Sequence, residues 1–253
     1  MTIGVITPIF DEEYLIPIFL EHYKFADQIT FFYDTDTTDA TLEKINTYKK
    51  TDVEIIEFNS GDGLDDYYMV DLLHEKLKNT SMDYSICVDA DEFLFHNYKN
   101  KDTIGEDIRN EISRELKKFY SCSFFHMYPH HTEEKEISWE KPVWEQRRYG
   151  RFDNLYVKPC VIQKGSGLVY APGKHFLFED GNYTPLNTNT ENYDFPGCHL
   201  NNVNLEFTLV RKLEKRKTRI SAINKGRGAG EEYLFITEDS IRKEFMGVYP
   251  KLW

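Results

Sequence analysis

The first hundred residues alternate between short β-branched or aromatic runs and segments whose apolar residues recur at helical spacing. The runs predict four strands, at Ile3–Thr7, Ile29–Tyr33, Val53–Phe58 and Ile86–Val88. Between them, apolar residues three or four positions apart predict helices over about 15–22, 42–48 and 67–77. Strands that alternate with helices form right-handed βαβ units, so we expect a parallel sheet covered on both faces.

The alternation weakens beyond Ile104. The pattern there predicts two long helices and several short aromatic-rich strands: helices at Ile104–Lys118 and Leu205–Ile220, and strands at Cys122–Tyr128, Tyr156–Gln163 and Leu168–Ala171. No linker or repeat separates two domains. The predicted fold class is therefore α/β, with a Rossmann-type, doubly wound, mainly parallel sheet and a smaller mixed C-terminal portion, in a single domain over 1–253.

Composition limits the kinds of binding partner and the cellular compartment that we expect. The formal net charge of -12 opposes a nucleic-acid partner, although the basic runs Arg211–Arg219 and Lys225–Arg227 leave a phosphate contact or a solvated helix face open. The four cysteines form no CxxC pair, which favours reduced thiols. The sequence shows no signal peptide and no apolar run near the roughly 20 residues of a membrane span. We expect a cytoplasmic protein, with peripheral membrane contact left open.

Acidic residues follow the predicted strands at Asp11–Glu13, Asp34–Asp39, Asp62 and Asp89–Glu92. The carboxyl ends of parallel strands meet at one edge of the sheet, where such folds bind ligands. An Asp-x-Asp pair at that edge suits Mg²⁺ or Mn²⁺, which prefer oxygen ligands. The alternative for each acid is a turn or helix-cap role, to which aspartate is equally suited.

The stretch Asp89-Ala90-Asp91-Glu92-Phe93 resembles the donor-site motif of family 2-like, GT-A-type glycosyltransferases, in their "D-x-D-E-F" or DUF23-like subgroup. Thr7–Leu15 resembles the family's "N-E-x-x-x-L" start, with Asp11 where asparagine is usual. Tyr33–Thr41 resembles its "D-x-x-S-x-D-x-T". The segments Val157-Lys158-Pro159, Gly173-Lys174-His175 and His199-Leu200 resemble its distal half more loosely.

The resemblance implies a fold, a cofactor and roles for particular residues. Asp89 would lie near the donor ribose, and Asp91 would bind a Mn²⁺ or Mg²⁺ ion that acts as a Lewis acid on the leaving diphosphate. Asp34 would contact the nucleotide base. The metal ligands implied are Asp89, Asp91, His199 and, as a rival to His199, His175. The donor-binding residues expected are Pro8, Phe10, Glu12, Asp34, Asp62, Asp89, Ala90, Lys225 and Arg227.

The general base and the acceptor platform are less clearly marked in the sequence. Glu179 and Asp180 are the leading candidates for the base, and Glu140, Glu145 and Asp153 remain open. Trp139 and Trp144 suit either an acceptor platform or the core. Lys225 and Arg227 lie in a glycine-rich stretch that suits either a mobile lid or an ordinary loop.

The leading hypothesis is a hexosyltransferase-type glycosyltransferase. It would move a sugar from a nucleotide-sugar donor, expected to be UDP-linked, to a glycan or other hydroxyl acceptor in polysaccharide biosynthesis. Residues 1–103 would bind the donor and residues 104–253 the acceptor. The alternatives are a nucleotidyltransferase, which also places acids and Mg²⁺ at a sheet edge, and a noncatalytic sugar- or metal-binding module. A modified DNA base as acceptor fits the net negative charge of the chain poorly.

Overall fold

The structure is a computed structural model of the whole chain. It describes all residues except 60, 62, 96–103, 131–132, 142, 186–192, 229 and 253, and in addition leaves out the side chains of 104, 153–155 and 231–232. Among the site predictions, Asp62 and the side chain of Asp153 therefore lie outside the described residues.

Eleven strands are found in the described part of the chain. They are β1 (Ile3–Ile9), β2 (Gln28–Asp34), β3 (Asp52–Phe58), β4 (Tyr84–Cys87), β5 (Glu92–Leu94), β6 (Phe119–Tyr128), β7 (Tyr149–Gln163), β8 (Leu168–Tyr170), β9 (Leu177–Glu179), β10 (Asn182–Thr184) and β11 (Phe195–His199). Eight of them form one sheet in the order β3-β2-β1-β4-β7-β6-β11-β5, and β10-β9-β8 form a small antiparallel sheet.

Helices occupy the remainder of the regular structure. In the described residues these are α1 (Ile16–His22), α2 (Thr41–Thr47), α3 (Asp66–Asn79), α4 (Ile104–Arg114), α5 (Val143–Gln146), α6 (Leu205–Leu209), α7 (Ala222–Gly226), α8 (Glu231–Phe235) and α9 (Glu238–Phe245). Short 3₁₀ turns lie at Leu200–Asn202 and Lys217–Arg219, and a π-helical turn lies at Val210–Arg216. No helix in the described ranges is both long and apolar enough to cross a membrane.

The first four strands are parallel and doubly wound. Alternate residues of β1 point to opposite faces, so Val5 packs into one core cluster and Ile6 into another. The first cluster contains Phe19 of α1, whereas the second contains Val70 and Leu73 of α3. The chain runs outward from β1 to β3 and then returns to place β4 beside β1. This reversal makes a topological switch point between β1 and β4.

The α/β prediction is confirmed, and the second half extends the same sheet with mixed pairing. Strands β4 and β7 are antiparallel, as are β6 and β7, whereas β6 and β11 are parallel. At the edges lie β3, whose side chains are partly exposed, and β5, whose side chains are buried. The sequence predictions missed β5, β9, β10 and β11, which have three to five residues each. Runs this short show too little periodicity to identify.

Two helix predictions were wrong, one in the residue at which the helix ends and the other in the kind of helix. The helix predicted over Ile104–Lys118 ends at Arg114. The helix predicted over Leu205–Ile220 is α-helical only as far as Leu209, after which it widens into the π turn and then tightens into a 3₁₀ turn. A π turn changes which side chains share a face, and such turns occur often at functional sites.

Candidate active site

A cavity of about 280 Å³ opens at the carboxyl ends of β1 and β4, at the topological switch point. Its wall contains the strand-end residues Asp11, Glu12, Asp34 and Asp89, together with residues from the distal half of the chain. Ligands of open α/β sheets bind in this position, and the volume is close to the lower limit for small-molecule pockets. The cavity is therefore the candidate active site.

Asp89 lies two residues beyond β4 and is held between two lysines. Its Oδ1 is 2.5 Å from the Lys174 ammonium, and its Oδ2 is 3.2 Å from that of Lys158. Its backbone N–H donates to Glu92 Oε2 at 2.9 Å, and Lys158 also donates to Glu92. Burial opposes ionisation, but the charges of Lys174 and Lys158 hold the pKa of Asp89 well below its ordinary value. Asp89 is thus an ionised acceptor on the cavity wall.

Asp91 is completely buried behind the wall and is surrounded by cations. Its Oδ2 accepts hydrogen bonds from Arg211 and, at 3.4 Å, from Arg216, and it lies 3.1 Å from His199 Nε2. Burial acts to raise the pKa of Asp91, but Arg211 and His199 hold it well below its ordinary value. The carboxylate is therefore ionised in the interior because its neighbours supply positive charge.

Arg211 joins the ends of β1 and β4. Besides Asp91 it binds Glu12, whose Oε1 is 2.5 Å from the guanidinium Nη2. The Glu12 backbone N–H donates to Thr41 Oγ1 at 2.8 Å, which fixes the loop after β1 against α2. Burial raises the pKa of Glu12; Arg211 acts against this and the charge of Asp91 adds to it. One buried guanidinium thus serves two carboxylates from two strand ends.

The other end of the cavity contains Asp34, Phe10 and Arg219. Asp34 Oδ2 accepts a hydrogen bond from Arg219 at 2.7 Å, and the Arg219 guanidinium lies 3.5 Å from the centre of the Phe10 ring. Asp34 also caps its own turn, because its Oδ1 accepts from the Asp36 backbone N–H at 2.9 Å. Asp34 therefore both caps a turn and lines the cavity. Pro8 and Ala90 line the same cavity.

Both candidate histidines also reach the cavity wall. His199 ends β11, and its ring lies 4.8 Å from that of His126, whose pKa burial lowers to about 2. His175 follows Lys174, and its ring lies 5.8 Å from that of Tyr156. His199 Nε2 is within hydrogen-bond distance of the carboxylate of Asp91.

The chemistry of this donor set fits a divalent cation held by few protein ligands. Asp91 Oδ2 and His199 Nε2 are 3.1 Å apart, about the separation of two adjacent ligands around an octahedral ion with bonds of roughly 2.1 Å. Asp91 Oδ1 is buried and has no hydrogen-bond partner within the described ranges. Those ranges contain no cluster of three His, Cys, Asp or Glu side chains placed to hold a metal. Mg²⁺ commonly takes one or two carboxylates and completes its shell with water and phosphate.

Several predicted site residues lie outside the cavity wall. Glu179 ends β9 and binds Lys118, and Asp180 occupies the tight turn before β10 with a φ of 49°. Arg227 lies 4.1 Å from the centre of the Tyr67 ring. Lys225 belongs to the short helix α7, so the glycine-rich stretch predicted as a lid or loop begins within a helix. The remaining base candidates Glu140 and Glu145 are exposed.

The two tryptophans have different surroundings. Trp144 is buried beside the rings of His22 and Phe93, at 4.9 and 5.5 Å, so it belongs to the core. Trp139 packs against Tyr14 at 5.4 Å and Phe207 at 4.9 Å. Neither tryptophan lines the cavity.

Sequence reasoning named none of the basic side chains of the cavity as site residues, although it left a phosphate contact open for the run Arg211–Arg219. Six basic side chains line the cavity: Lys158, Lys174, Arg211, Lys215, Arg216 and Arg219. The solvated-face interpretation of the run from Arg211 was wrong, because Arg211 and Lys212 are buried. Asp66 was also missed: it lines the cavity, and burial together with the charge of Asp89 raises its pKa. A raised carboxyl pKa in a cleft is a mark of a candidate acid–base group.

Comparisons with known proteins give only distant similarities. No family model and no curated protein matches the sequence. Residues 1–349 of TarS from S. aureus are 14% identical over 97% of this chain and 79% of that one, with a TM-score of 0.42. A TarS structure in complex with UDP-GlcNAc is 13% identical over 97% and 72%, also at 0.42. Glucosyl-3-phosphoglycerate synthase from Mycobacterium tuberculosis, in complex with Mn²⁺, UDP and phosphoglyceric acid, is 16% identical over 49% and 43%, at 0.32.

Proposed function

We propose that this protein is a glycosyltransferase that moves a sugar from a UDP-linked donor to a hydroxyl group of a glycan or other acceptor. One observation supports this most strongly: Asp89 and Asp91 bind four of the six basic side chains that line a cavity on the β1/β4 switch point. The cations suit a diphosphate leaving group, because charge-assisted hydrogen bonds stabilise the negative charge that grows on it.

The geometry favours one orientation of the donor. Phe10 and Asp34 offer a ring face and a carboxylate for the base at one end, and Asp89 offers an acceptor for the ribose hydroxyls. On this proposal residues 1–103 bind the base and ribose of the donor, whereas residues 104–253 supply the cations that face its diphosphate and bind the acceptor. The structure does not bring Glu179 or Asp180 to the cavity wall, so their role as general base has no geometric support.

Asp91 and His199 would hold a Mn²⁺ or Mg²⁺ ion, which when bound supplies Lewis-acid stabilisation of the leaving diphosphate. Arg211 keeps Asp91 ionised and fixes it relative to Glu12. Lys158, which is buried, keeps Asp89 in place through Asp89 Oδ2 and Glu92. These side chains therefore preorganise the acids before any donor binds.

The test combines donor binding with product analysis. Purified protein is incubated with UDP-glucose, UDP-GlcNAc and GDP- and dTDP-sugars, with Mn²⁺ or EDTA, and the released nucleotides are separated. Free nucleoside diphosphate, with the sugar on water or an acceptor, is the expected product. Release of pyrophosphate would favour a nucleotidyltransferase, and binding without turnover would favour a noncatalytic module. If no nucleotide raises the melting temperature or is consumed, the proposal is wrong.

The Asp91→Asn variant makes the test specific to the site. It keeps the side-chain volume but removes the charge, so we expect turnover to fall by about 100-fold or more and the Mn²⁺-dependent part of the thermal shift to disappear. Asp52→Asn is the matched control, because Asp52 is exposed at the start of β3. Full activity in a folded Asp91→Asn variant would remove Asp91 from the reaction.

A further inference from the structure

The four basic side chains that bind Asp89 and Asp91 fall into two groups by exposure. Lys158 and Arg211 are almost completely buried, with 5% and 6% of their side-chain surface exposed. Lys174 and Arg216 are more open, at 14% and 25%. Lys174 and Arg216 are therefore more accessible to a ligand than Lys158 and Arg211.

Lys174 and Arg216, the more open pair, bind the same carboxylates as the buried pair, Lys158 and Arg211. Asp89 is bound by Lys158 as well as Lys174, and Asp91 by Arg211 as well as Arg216. If Lys174 and Arg216 turned away, each carboxylate would keep a buried cation. A buried carboxylate that loses its last cation is strongly destabilised, and this arrangement avoids that cost.

The two remaining cations of the cavity do not have this freedom. Within the described residues, Arg219 is the basic partner of Asp34, at 2.7 Å. Lys215 lies between Asp11 and Asp39, at 3.5 and 3.9 Å, and donates to the Asp11 carbonyl. Arg219 and Lys215 therefore bind residues at or just after the ends of β1 and β2, on the side of the cavity where Phe10 lies.

Lys174 and Arg216 also retain hydrogen-bonding capacity. An ammonium has three donors and a guanidinium five. Among the described residues, Lys174 donates to Asp89, and Arg216 donates to Asp91 and, at 2.7 Å, to the Tyr233 hydroxyl. Lys174 has a φ of 61° directly after Gly173 at 79°, a conformation uncommon for a residue with a side chain. Such backbone positions concentrate at ligand-binding sites.

From this redundancy we infer that Lys174 and Arg216 bind the diphosphate of the donor, transferring from Asp89 and Asp91 to the phosphate oxygens. The inference rests on the proposed function. It assigns the recognition of the diphosphate to two side chains of this chain, beside any metal ion at Asp91 and His199. Lys158 and Arg211 stay with the carboxylates throughout.

The experiment compares ligands that differ only in phosphate. Calorimetric titration of wild type with UDP and with uridine, each in Mn²⁺ and in EDTA, measures what the diphosphate adds. Lys174→Met and Arg216→Met should each weaken UDP binding about tenfold or more in both conditions, because each removes a charge-assisted hydrogen bond to phosphate. Their uridine affinity should stay unchanged. Lys174→Arg should retain most of the UDP affinity.

Lys164→Met and Arg114→Met are the matched controls, since both side chains are exposed away from the cavity, and both should bind UDP like wild type. Melting temperatures of all variants show that they are folded. If wild type binds UDP and both cavity variants bind it equally well, the inference is wrong and the proposed function stands. If the variants lose uridine and UDP affinity equally, the two side chains do not recognise the phosphates. If wild type binds no nucleotide, the proposed function itself fails.

Discussion

At the scale of single residues, Lys212 shows what it costs to bury a charge without a close carboxylate. Its ammonium donates to Asn202 Oδ1 at 2.7 Å, but the nearest carboxylate oxygen, on Glu244, is 3.9 Å away. Burial lowers the pKa of Lys212 to about 8, with Glu244 acting in the opposite direction. The folded protein therefore carries an ammonium that the unfolded chain would hydrate better.

We expect Lys212→Met to be more stable than wild type at pH 7, by about 1–3 kcal/mol. The folded pKa of about 8 lies below the ordinary 10.5, so between these values the unfolded wild-type chain binds more protons and wild-type stability rises with pH. The advantage of the variant should therefore shrink above pH 8. Urea unfolding at pH 7, 8 and 9.5 checks this, with Lys164→Met as control. A variant less stable than wild type at pH 7 would show that the Asn202 contact outweighs the burial cost.

At the scale of elements, the site depends on contacts between the segment that contains the π turn and the loop before α3. The Leu64 backbone N–H donates to the Arg219 carbonyl at 2.5 Å, and Ser221 N–H donates to the Leu64 carbonyl at 3.1 Å. Gly63 permits this approach, because a Cβ there would collide with the Arg219 carbonyl. Its φ of 117° also suits glycine. The short bridge therefore fixes Arg219 beside Asp34.

Gly63→Ala should separate these two elements. We expect it to destabilise the protein by about 2–4 kcal/mol and to weaken uridine binding, since Arg219 and Asp34 lie at the proposed base end of the cavity. Gly61→Ala is the matched control: Gly61 also has a positive φ, of 87°, but a Cβ there meets nothing within 4 Å. Chemical unfolding and uridine titration are measured for both variants. The difference between them gives the effect of the Cβ collision with the Arg219 carbonyl, because the strain of a positive φ is common to both. Equal effects in the two variants would contradict the bridging role of Gly63.

At the scale of the whole molecule, Arg211 connects the two halves of the chain across the switch point. It comes from the distal half, yet it binds Glu12 after β1 and Asp91 after β4. Removing Arg211 would take the guanidinium away from buried Glu12 and would leave Asp91 with Arg216 and His199, and breaking a buried charged group in this way costs about 3–5 kcal/mol.

Arg211→Met should therefore lower the free energy of unfolding by about that amount, as measured in urea at pH 7. The loss should be smaller at acidic pH, where Glu12, whose pKa is raised, takes up a proton more readily. Arg114→Met, at an exposed position of α4, should change stability by less than about 0.5 kcal/mol. A loss below 1 kcal/mol in Arg211→Met would show that the two strand ends hold together without it.

The first half of the fold could be predicted from the sequence because the information there is local. Strands β1 to β4 and their helices follow from periodicity, and Asp34 and Asp89 were found because each comes directly after a predicted strand. The partners of these acids could not be found in this way. Lys174 lies 85 residues from Asp89, and Arg219 lies 185 residues from Asp34, so no local pattern joins them. The basic run was visible, but the π turn that buries part of it was not.

Strand β3 ends the large sheet on one side, and its composition has a consequence for solubility. An edge strand offers unpaired backbone groups to any other strand, including the same strand of a second copy. Asp52, Glu54 and Glu57 place three acids along this seven-residue edge. Glu54 is paired with Lys76, but a second β3 would still bring its acids close to Asp52 and Glu57, which opposes growth of the sheet by addition of further copies. The edge is thus protected against intermolecular β-aggregation by its own charges.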